Sequence, residues 1–413
     1  MTRVPDVVTI ERLGHRGDGI GPAADGPVYV PFTLPGERVA IERHGERGRL
    51  LEILEPSAER ATPPCRHFGH CGGCALQMMA LPATRRLKRD LVIAALAREG
   101  LHPEVSETIG VSAASRRRAV LTAMRAGKGI VLGYSERQSN RVADIEACPV
   151  LAPALADRLA AIRGLIEPLV PGRKPVRVTA LLTRGRLDLN LDGAATPPPR
   201  TIPKLAEMAR EHGIARLSIA GEPVLTLAEP VIHVAGVPLV PPPGGFLQAS
   251  AEAEAAMAEL VAGHLSGARR VLDLFSGFGA FALALARFAP VRAVESSQAA
   301  LDALTAATRG AKGLKRIETE RRDLFAFPLA AAELKAFDAV VFDPPRAGAK
   351  AQAEALAASA VKRIAAVSCN PASFARDARI LVDGGYGLER VVPVDQFVYS
   401  AETEVVGLFR RRA

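Results

Sequence analysis

The sequence predicts an α/β protein in which a doubly wound parallel sheet follows smaller β-rich domains. After residue 250, short apolar strands alternate with helices, the order expected of a parallel sheet with helical crossovers. Residues 7–57 instead alternate apolar and polar positions between Asp-Gly and Pro-Gly turns, which indicates antiparallel hairpins. The length of 413 residues is enough for two or three domains.

The N-terminal half is predicted to be β-rich with one long helix. Residues 7–57 form a small antiparallel sheet or barrel, and the helix lies near 82–99. Its first turns are basic, which opposes the helix dipole; the residues are Arg85, Arg86, Lys88 and Arg89. Further strands are expected at 117–124, 129–134, 176–182, 186–191 and 223–234. The Pro- and Gly-rich residues 241–245 indicate a linker or a turn that ends a strand.

The C-terminal part alternates regularly. Helices are predicted at 251–265, 279–288, 298–309, 350–360 and 372–383. Strands are predicted at 271–275, 291–295, 339–343 and 364–369. Because such sheets bind ligands at the carboxyl ends of their strands, functional residues are expected directly after these strands.

Composition excludes several classes of protein. Hydrophobic residues are 48% and charged residues 23%, which argues against a disordered or fibrous chain. No apolar run reaches the roughly 18 residues of a membrane helix, and the N terminus lacks a secretory apolar core, so we expect a cytoplasmic protein with no membrane partner. The net charge is +9, and residues 61–150 hold 13 Lys and Arg against 7 Asp and Glu. A polyanionic partner and a solvated Arg-rich surface explain this equally well.

Four of the five cysteines suggest a metal site. Cys65, Cys71 and Cys74 lie within ten residues, and Cys148 follows in a second segment. In a cytosolic protein such a cluster indicates metal binding rather than disulfides, and four thiolates suit zinc or an iron–sulfur centre.

Three strand ends carry candidate chemistry. The turn from Asp273 to Gly279 and the acidic strand end Glu295 suit a nucleoside, and without a third glycine S-adenosylmethionine is favoured over a dinucleotide. Asp343 begins a Pro-Pro-Arg loop that stiffens its position. Cys369 ends a strand before a helix N-terminus, which is expected to lower its pKa and make it a nucleophile.

These motifs resemble those of the RNA (uracil-5-)-methyltransferases, nearest to the iron–sulfur members that modify 23S ribosomal RNA. The resemblance spans nearly the whole chain. It implies a TRAM-like, OB-like barrel at residues 1–58, a central α+β domain with a cluster at 59–243, and a Rossmann-like class I methyltransferase domain at 244–413. It also implies a [4Fe–4S] cluster, whose ligands are Cys65, Cys71, Cys74 and Cys148.

The resemblance assigns roles to individual residues. Cys369 in Ser-Cys-Asn-Pro matches the catalytic cysteine, and the segment 395–404 puts the general base on Glu404 rather than Glu402. The implied S-adenosylmethionine contacts are Gln248, Phe275, Gly277, Glu295, Asp323 and Asp343. Four positions depart from the usual family residues, namely Ser250, Ser276, Ala280 and Glu402.

The implied activity is methylation of carbon 5 of a uridine in RNA, most readily 23S ribosomal RNA, with no obligate protein partner. The basic residues 85–89 and 116–118 are expected to contact the RNA backbone. Three alternatives stay open at this point. They are a transfer-RNA uracil methyltransferase, an amino-group methyltransferase that uses the Asp-Pro-Pro loop, and a non-catalytic RNA-binding iron–sulfur protein.

Overall fold

The protein is described from a computed structural model, which covers residues 5–172 and 174–412. The described residues form sheets of six, seven, two and eight strands. Among them, no helix has the length and apolar content needed to cross a membrane.

The six-stranded sheet is N-terminal. Its strands are β1 (Asp6–Thr9), β2 (Arg12–Leu13), β3 (Gly19–Ala23), β4 (Gly26–Val30), β5 (Arg38–His44) and β6 (Arg47–Glu55), in the order β1-β5-β6-β4-β3-β2. All neighbours are antiparallel except β4 and β6. The apolar positions of the alternating runs form its small core, including Val8, Val28 and Ile41. The sheet confirms the antiparallel pattern, while the closed TRAM-like barrel stays a prediction.

Two elements then leave this region: the helix α1 (Leu81–Arg98) and the short strand β7 (Ile109–Gly110). The helix agrees with the prediction to within one residue. Both elements pack on the C-terminal sheet described below.

The seven-stranded sheet is central. Its strands are β8 (Arg118–Ala126), β9 (Gly129–Ser135), β10 (Val142–Asp144), β11 (Val176–Thr183), β12 (Arg186–Asp192), β13 (Ile214–Ile219) and β14 (Glu222–Thr226). The helices between them are α2 (Pro153–Ala156), α3 (Leu159–Ile166) and α4 (Ile202–Glu211). The strand order is β10-β9-β8-β11-β12-β13-β14. The predicted strand 223–234 is wrong as one element, because the chain turns at Pro230, which has no backbone N–H to donate. Its second part pairs in a separate hairpin of β15 (Ile232–Val234) and β16 (Val237–Leu239).

The C-terminal sheet is the predicted doubly wound one. Its elements are α5 (Ala251–Leu265), β17 (Val271–Leu274), α6 (Ala282–Leu285), β18 (Val291–Glu295), α7 (Gln298–Arg309), β19 (Ile317–Arg321), α8 (Ala331–Leu334), β20 (Ala339–Phe342), α9 (Lys350–Ala357), β21 (Arg363–Ser368), α10 (Pro371–Asp383), β22 (Tyr386–Asp395) and β23 (Glu404–Arg411). The order is β19-β18-β17-β20-β21-β23-β22-β7, and the first five strands are parallel. β17 adjoins β18 on one side and β20 on the other, so the order reverses there and a crevice opens at the strand ends.

Helix α1 is fastened to this sheet by a buried ion pair. Lys88 is fully buried and pairs with the equally buried Asp395 at the end of β22. Its ammonium also donates a hydrogen bond to the carbonyl of Phe397 at 3.0 Å. Apolar residues of α1 join the core beneath the sheet, among them Val92 and Leu96. The positive charge near the helix start is therefore compensated inside the protein.

The predicted RNA contacts from 85–89 and 116–118 need correction. Lys88 is inaccessible, and Arg117 is buried against Glu254 at 2.8 Å. Arg86 and Arg89 pair with Glu59 and Glu107. Lys88 and Arg117 are therefore excluded as RNA contacts by their burial, whereas RNA contact by the accessible arginines of these runs stays a prediction.

We predict that Lys88→Met destabilises the protein by about 3–5 kcal/mol, because it leaves Asp395 buried without a counter-charge. The double variant Lys88→Met/Asp395→Leu should recover part of this loss, since neither charge is then buried. Urea unfolding followed by circular dichroism measures both effects.

The control is Arg86→Ala, which removes the solvent-exposed pair with Glu59. Exposed pairs contribute about 0–1 kcal/mol. Equal losses in Lys88→Met and Arg86→Ala would show that the buried pair has no special role.

Candidate active site

A cavity of about 500 Å³ lies at the carboxyl ends of β17, β18, β20 and β21. This volume suits a bound cofactor. All eight residues predicted as catalytic or cofactor-binding line it: Gln248, Phe275, Gly277, Glu295, Asp323, Asp343, Cys369 and Glu404. The structure thus brings the predicted set together, and the role of each residue stays a proposal.

The turn after β17 has an unusual backbone. Phe275 has a φ of +60°, which is rare for a residue with a side chain, and Gly277 and Gly279 follow with φ of +53° and +92°. A Cβ added at Gly279 would lie 2.6 Å from Cδ1 of Leu304, so glycine is required there. This left-handed stretch explains why the predicted helix 279–288 begins only at Ala282. Such backbone conformations cluster at ligand sites.

Two acidic side chains organise the loops of the cavity. One Glu295 oxygen accepts the N–H of Gly277 at 3.1 Å, and the other accepts the N–H of Ser297 at 2.9 Å. Asp323 accepts the N–H of Phe325 at 2.9 Å. The Phe325 ring packs against that of Phe275, with centroids 5.5 Å apart. The cavity therefore has two aromatic faces beside two carboxylates.

Strand pairing places Glu404 opposite Cys369. Ser368 is the register partner of Val405 in the antiparallel pair of β21 and β23. Cys369 follows the first of these residues and Glu404 precedes the second, so the two candidate side chains lie opposite each other across the strands. Glu402 instead is half-exposed and pairs with Arg346 at 2.8 Å. Of the two carboxylates that the sequence offered, only Glu404 lines the cavity.

The expected low pKa of Cys369 is corrected by the structure. Burial raises the pKa of the thiol to about 12, and the Glu404 and Asp343 carboxylates add to this effect, while Arg346 opposes it. The helix N-terminus that follows is already capped by Asn370, whose side chain accepts the N–H of Ala372 at 3.1 Å. Burial, reinforced by two nearby carboxylates, therefore outweighs the effect expected of the helix end.

A row of side-chain amides joins the two carboxylates. Gln248 donates from Nε2 to Asp343 at 3.2 Å, and its Oε1 accepts from Nε2 of Gln396 at 2.7 Å. Gln396 also donates to Oε1 of Glu404 at 2.8 Å. Burial raises the pKa of both Asp343 and Glu404, and Asp343 raises that of Glu404 further by repulsion. Gln396 was missed by the sequence prediction, although it lies in the quoted segment 395–404.

The four positions that depart from the usual family residues have defined places in the structure. Ser276 and Ala280 line the cavity, and Ser250 is completely buried where α5 begins. The Ser250 hydroxyl has no hydrogen-bond partner among the described residues. Glu402 forms the exposed ion pair with Arg346.

The cysteines Cys65, Cys71, Cys74 and Cys148 line a second pocket, together with Arg116 and Tyr134. Burial raises the pKa of Cys74 to about 11, and it also raises those of Cys71 and Cys148, with added repulsion among the sulfurs. Within residues 5–172 and 174–412, no three Cys, His, Asp or Glu side chains converge as ligands of one metal ion. The structure brings the predicted thiols to one pocket without forming a mononuclear site.

Sequence relatives match nearly the whole chain, and a family profile matches its C-terminal part. The family profile described as tRNA (uracil-5-)-methyltransferase matches residues 242–412. An uncharacterized RNA methyltransferase of Agrobacterium fabrum is 46% identical over 98% of this chain and 99% of its own. The 23S rRNA (uracil(1939)-C(5))-methyltransferase RlmD of Chromohalobacter salexigens is 36% identical over 98% of this chain and 89% of its own.

The fold is similar to a solved structure, the tRNA (uracil-54, C5)-methyltransferase of Pyrococcus abyssi in complex with S-adenosyl-L-homocysteine. The TM-score is 0.75 over 98% of this chain and 100% of the other, at 21% sequence identity. Fold and relatives together define an RNA methyltransferase. More narrowly, the chain belongs to the RNA (uracil-5-)-methyltransferase family, as its motifs predicted.

Proposed function

We propose that the protein methylates carbon 5 of a uridine in 23S ribosomal RNA, with S-adenosylmethionine as the methyl donor. The observation that carries this proposal is the meeting of Cys369 and Glu404 in the cavity that also holds the predicted cofactor residues. An amino-group methyltransferase would need no cysteine opposite a carboxylate. The 36% identity to a 23S ribosomal RNA enzyme supports the choice of RNA.

The cavity offers groups that suit S-adenosylmethionine. Glu295 lines the cavity at the end of β18, where its carboxylate would accept hydrogen bonds from ribose hydroxyls. The rings of Phe275 and Phe325 provide apolar faces for the adenine. When bound, S-adenosylmethionine supplies the methyl group and a sulfonium charge that offsets the carboxylates facing Cys369.

In this mechanism Cys369 adds as a thiolate to carbon 6 of the uracil ring. Carbon 5 would then be the nucleophilic carbon of an enolate and would take the methyl group, while the methyl–sulfur bond breaks and S-adenosylhomocysteine leaves. Glu404 takes the proton from carbon 5, the bond between sulfur and carbon 6 breaks, and Cys369 leaves as a thiolate. The raised pKa of Glu404 makes it a stronger base than an exposed glutamate.

The target base must leave its stack to reach the cavity. The rim is suited to an unstacked base, because Phe246 lines the cavity and remains largely exposed. Aromatic rings bind splayed bases of single-stranded RNA. A single-stranded or remodelled loop is therefore the proposed substrate.

We also propose that Cys65, Cys71, Cys74 and Cys148 hold a [4Fe–4S] cluster. The support is that two separate chain segments bring four thiols to one pocket, and cysteine thiolates are the ligands of such clusters. The proposed reaction transfers no electrons, so the cluster has a structural or RNA-positioning role.

The test of the substrate is mass mapping of ribosomal and transfer RNA from cells with and without the gene. We expect the loss of one 5-methyluridine from 23S ribosomal RNA. Loss from transfer RNA alone would move the activity to that substrate. Unchanged uridine methylation in both would contradict uracil methylation and favour the amino-group or binding-only alternatives.

For the chemistry, we predict that Cys369→Ala abolishes turnover, because Cys369 is the one cysteine among the described residues that line this cavity. Glu404→Gln should instead trap a methylated covalent RNA adduct, because the proton on carbon 5 is not removed. Denaturing gel electrophoresis detects the adduct as a slow RNA–protein band. Glu402→Gln is the matched control and should release product without trapping, and a wild-type rate from either main variant would refute that residue's role.

For the cysteine pocket, we predict that Cys148→Ser loses most of its iron and sulfide, since it removes one of four ligands. Both elements are measured after anaerobic purification. Cys369→Ser is the control and should keep wild-type iron, because Cys369 lines the other cavity. Zinc without iron in the wild-type protein would contradict the cluster.

A further inference from the structure

Gln396 has every polar atom of its side chain engaged. It directly follows β22 and is 3% exposed. Its Oε1 accepts the N–H of Ala249 at 3.0 Å. Its Nε2 donates to both Gln248 and Glu404, at 2.7 and 2.8 Å. A buried amide with these partners is committed to one arrangement.

The opposite amide orientation is excluded by its neighbours. If the amide were flipped, its oxygen would face the oxygens of Gln248 and Glu404, and its NH₂ would face the N–H of Ala249. Every contact would then pair two acceptors or two donors. The hydrogen-bond network therefore fixes which atom faces Glu404.

The backbone on either side of Gln396 is also held. Asp395 pairs with the buried Lys88, which hydrogen-bonds the carbonyl of Phe397 at 3.0 Å. The guanidinium of Arg116 lies 5.5 Å from the centroid of the Phe397 ring. The amide therefore has little freedom to withdraw from Glu404.

We propose that Gln396 is a positioning residue: it binds one oxygen of the Glu404 carboxylate, leaves the other to take the proton, and joins this base to Gln248. This inference rests on the proposed function, in which Glu404 is the base. Oε2 of Glu404 has no hydrogen-bond partner among the described residues, so this oxygen is free to accept the proton from carbon 5.

The hydrogen bond also favours the charged form of Glu404. The charged and titratable groups that face this side chain are Asp343, Cys369, Glu402 and Arg346. Burial and the carboxylates raise the pKa of Glu404, whereas Gln396 and Arg346 lower it. A neutral donor achieves this without adding a positive charge that would weaken the base.

The test is Gln396→Met, which keeps the side-chain volume and removes all three hydrogen bonds. Hydrogen bonds to a charged group contribute about 1.5–3 kcal/mol, equivalent to about one to two pKa units. Because the base must be deprotonated, a higher pKa moves the acidic limb of the pH–rate profile upward by about one to two pH units. At neutral pH we expect turnover to fall about 10- to 100-fold and to recover as the pH rises.

A second readout separates this role from a structural one. At neutral pH, Gln396→Met should accumulate the methylated covalent adduct, and raising the pH should release it. Addition of Cys369 precedes the affected step, so a 5-fluorouridine transcript of 23S ribosomal RNA should trap the variant as fast as the wild type. Fluorine cannot leave as a cation, so this trapping needs no base.

The control is Gln352→Met, which removes another buried glutamine that hydrogen-bonds only the backbone of Leu329. It should lower the melting temperature to a similar extent with an unchanged pH profile. If Gln396→Met keeps the wild-type pH profile and only raises the KM for S-adenosylmethionine, the proposal is overturned. Gln396 would then only support the loop that carries Gln248. If the wild type itself forms no fluorouridine adduct, the proposed function fails instead.

Discussion

Strand β23 lies between β21 and β22 with its direction reversed, and this pairing decides which carboxylate meets Cys369. The register that joins Ser368 to Val405 places Glu404 at the strand ends where the parallel sheet already gathers its loops. A shift by one residue would turn Glu404 to the opposite face of the sheet. The cavity therefore depends on a pairing between residues near the end of the chain and a strand in the middle of the domain.

Burial and negative charge in the cavity favour the role proposed for Glu404 and oppose the role proposed for Cys369. Burial raises the pKa of both Glu404 and Cys369, because the charged form of each group loses hydration, and repulsion between negative groups in the same small space adds to this effect. The neutral amides of Gln248 and Gln396 donate hydrogen bonds to the carboxylates of Asp343 and Glu404, and they orient these carboxylates without cancelling their charge. The pKa of the Cys369 thiol is therefore set by burial and by its charged neighbours, whereas the position of Glu404 is set by the strand pairing.

The sequence was most informative where a residue type has few uses. The glycines after β17 have the left-handed backbone of a tight turn, the clustered cysteines share one pocket, and the residues that follow the parallel strands line one cavity, since steric and topological rules govern these positions. Prediction from the sequence failed where the burial or the pKa of a residue depends on partners far away in the chain. The sequence predicted Lys88 as an exposed RNA contact, whereas the structure pairs it with the buried Asp395. The pKa of Cys369 likewise depends on Glu404 across the sheet. Pro230, by contrast, was a local signal for the break in the predicted strand 223–234.

The pair of Lys88 and Asp395 has a consequence for biosynthesis. The two residues are 307 positions apart in the chain. At about 5–20 residues per second, a ribosome needs about 15–60 s to make Asp395 after Lys88. Throughout this time α1 has an unneutralised lysine on the face that it will bury. The docking of α1 through this ion pair must therefore wait until the end of β22 has been made.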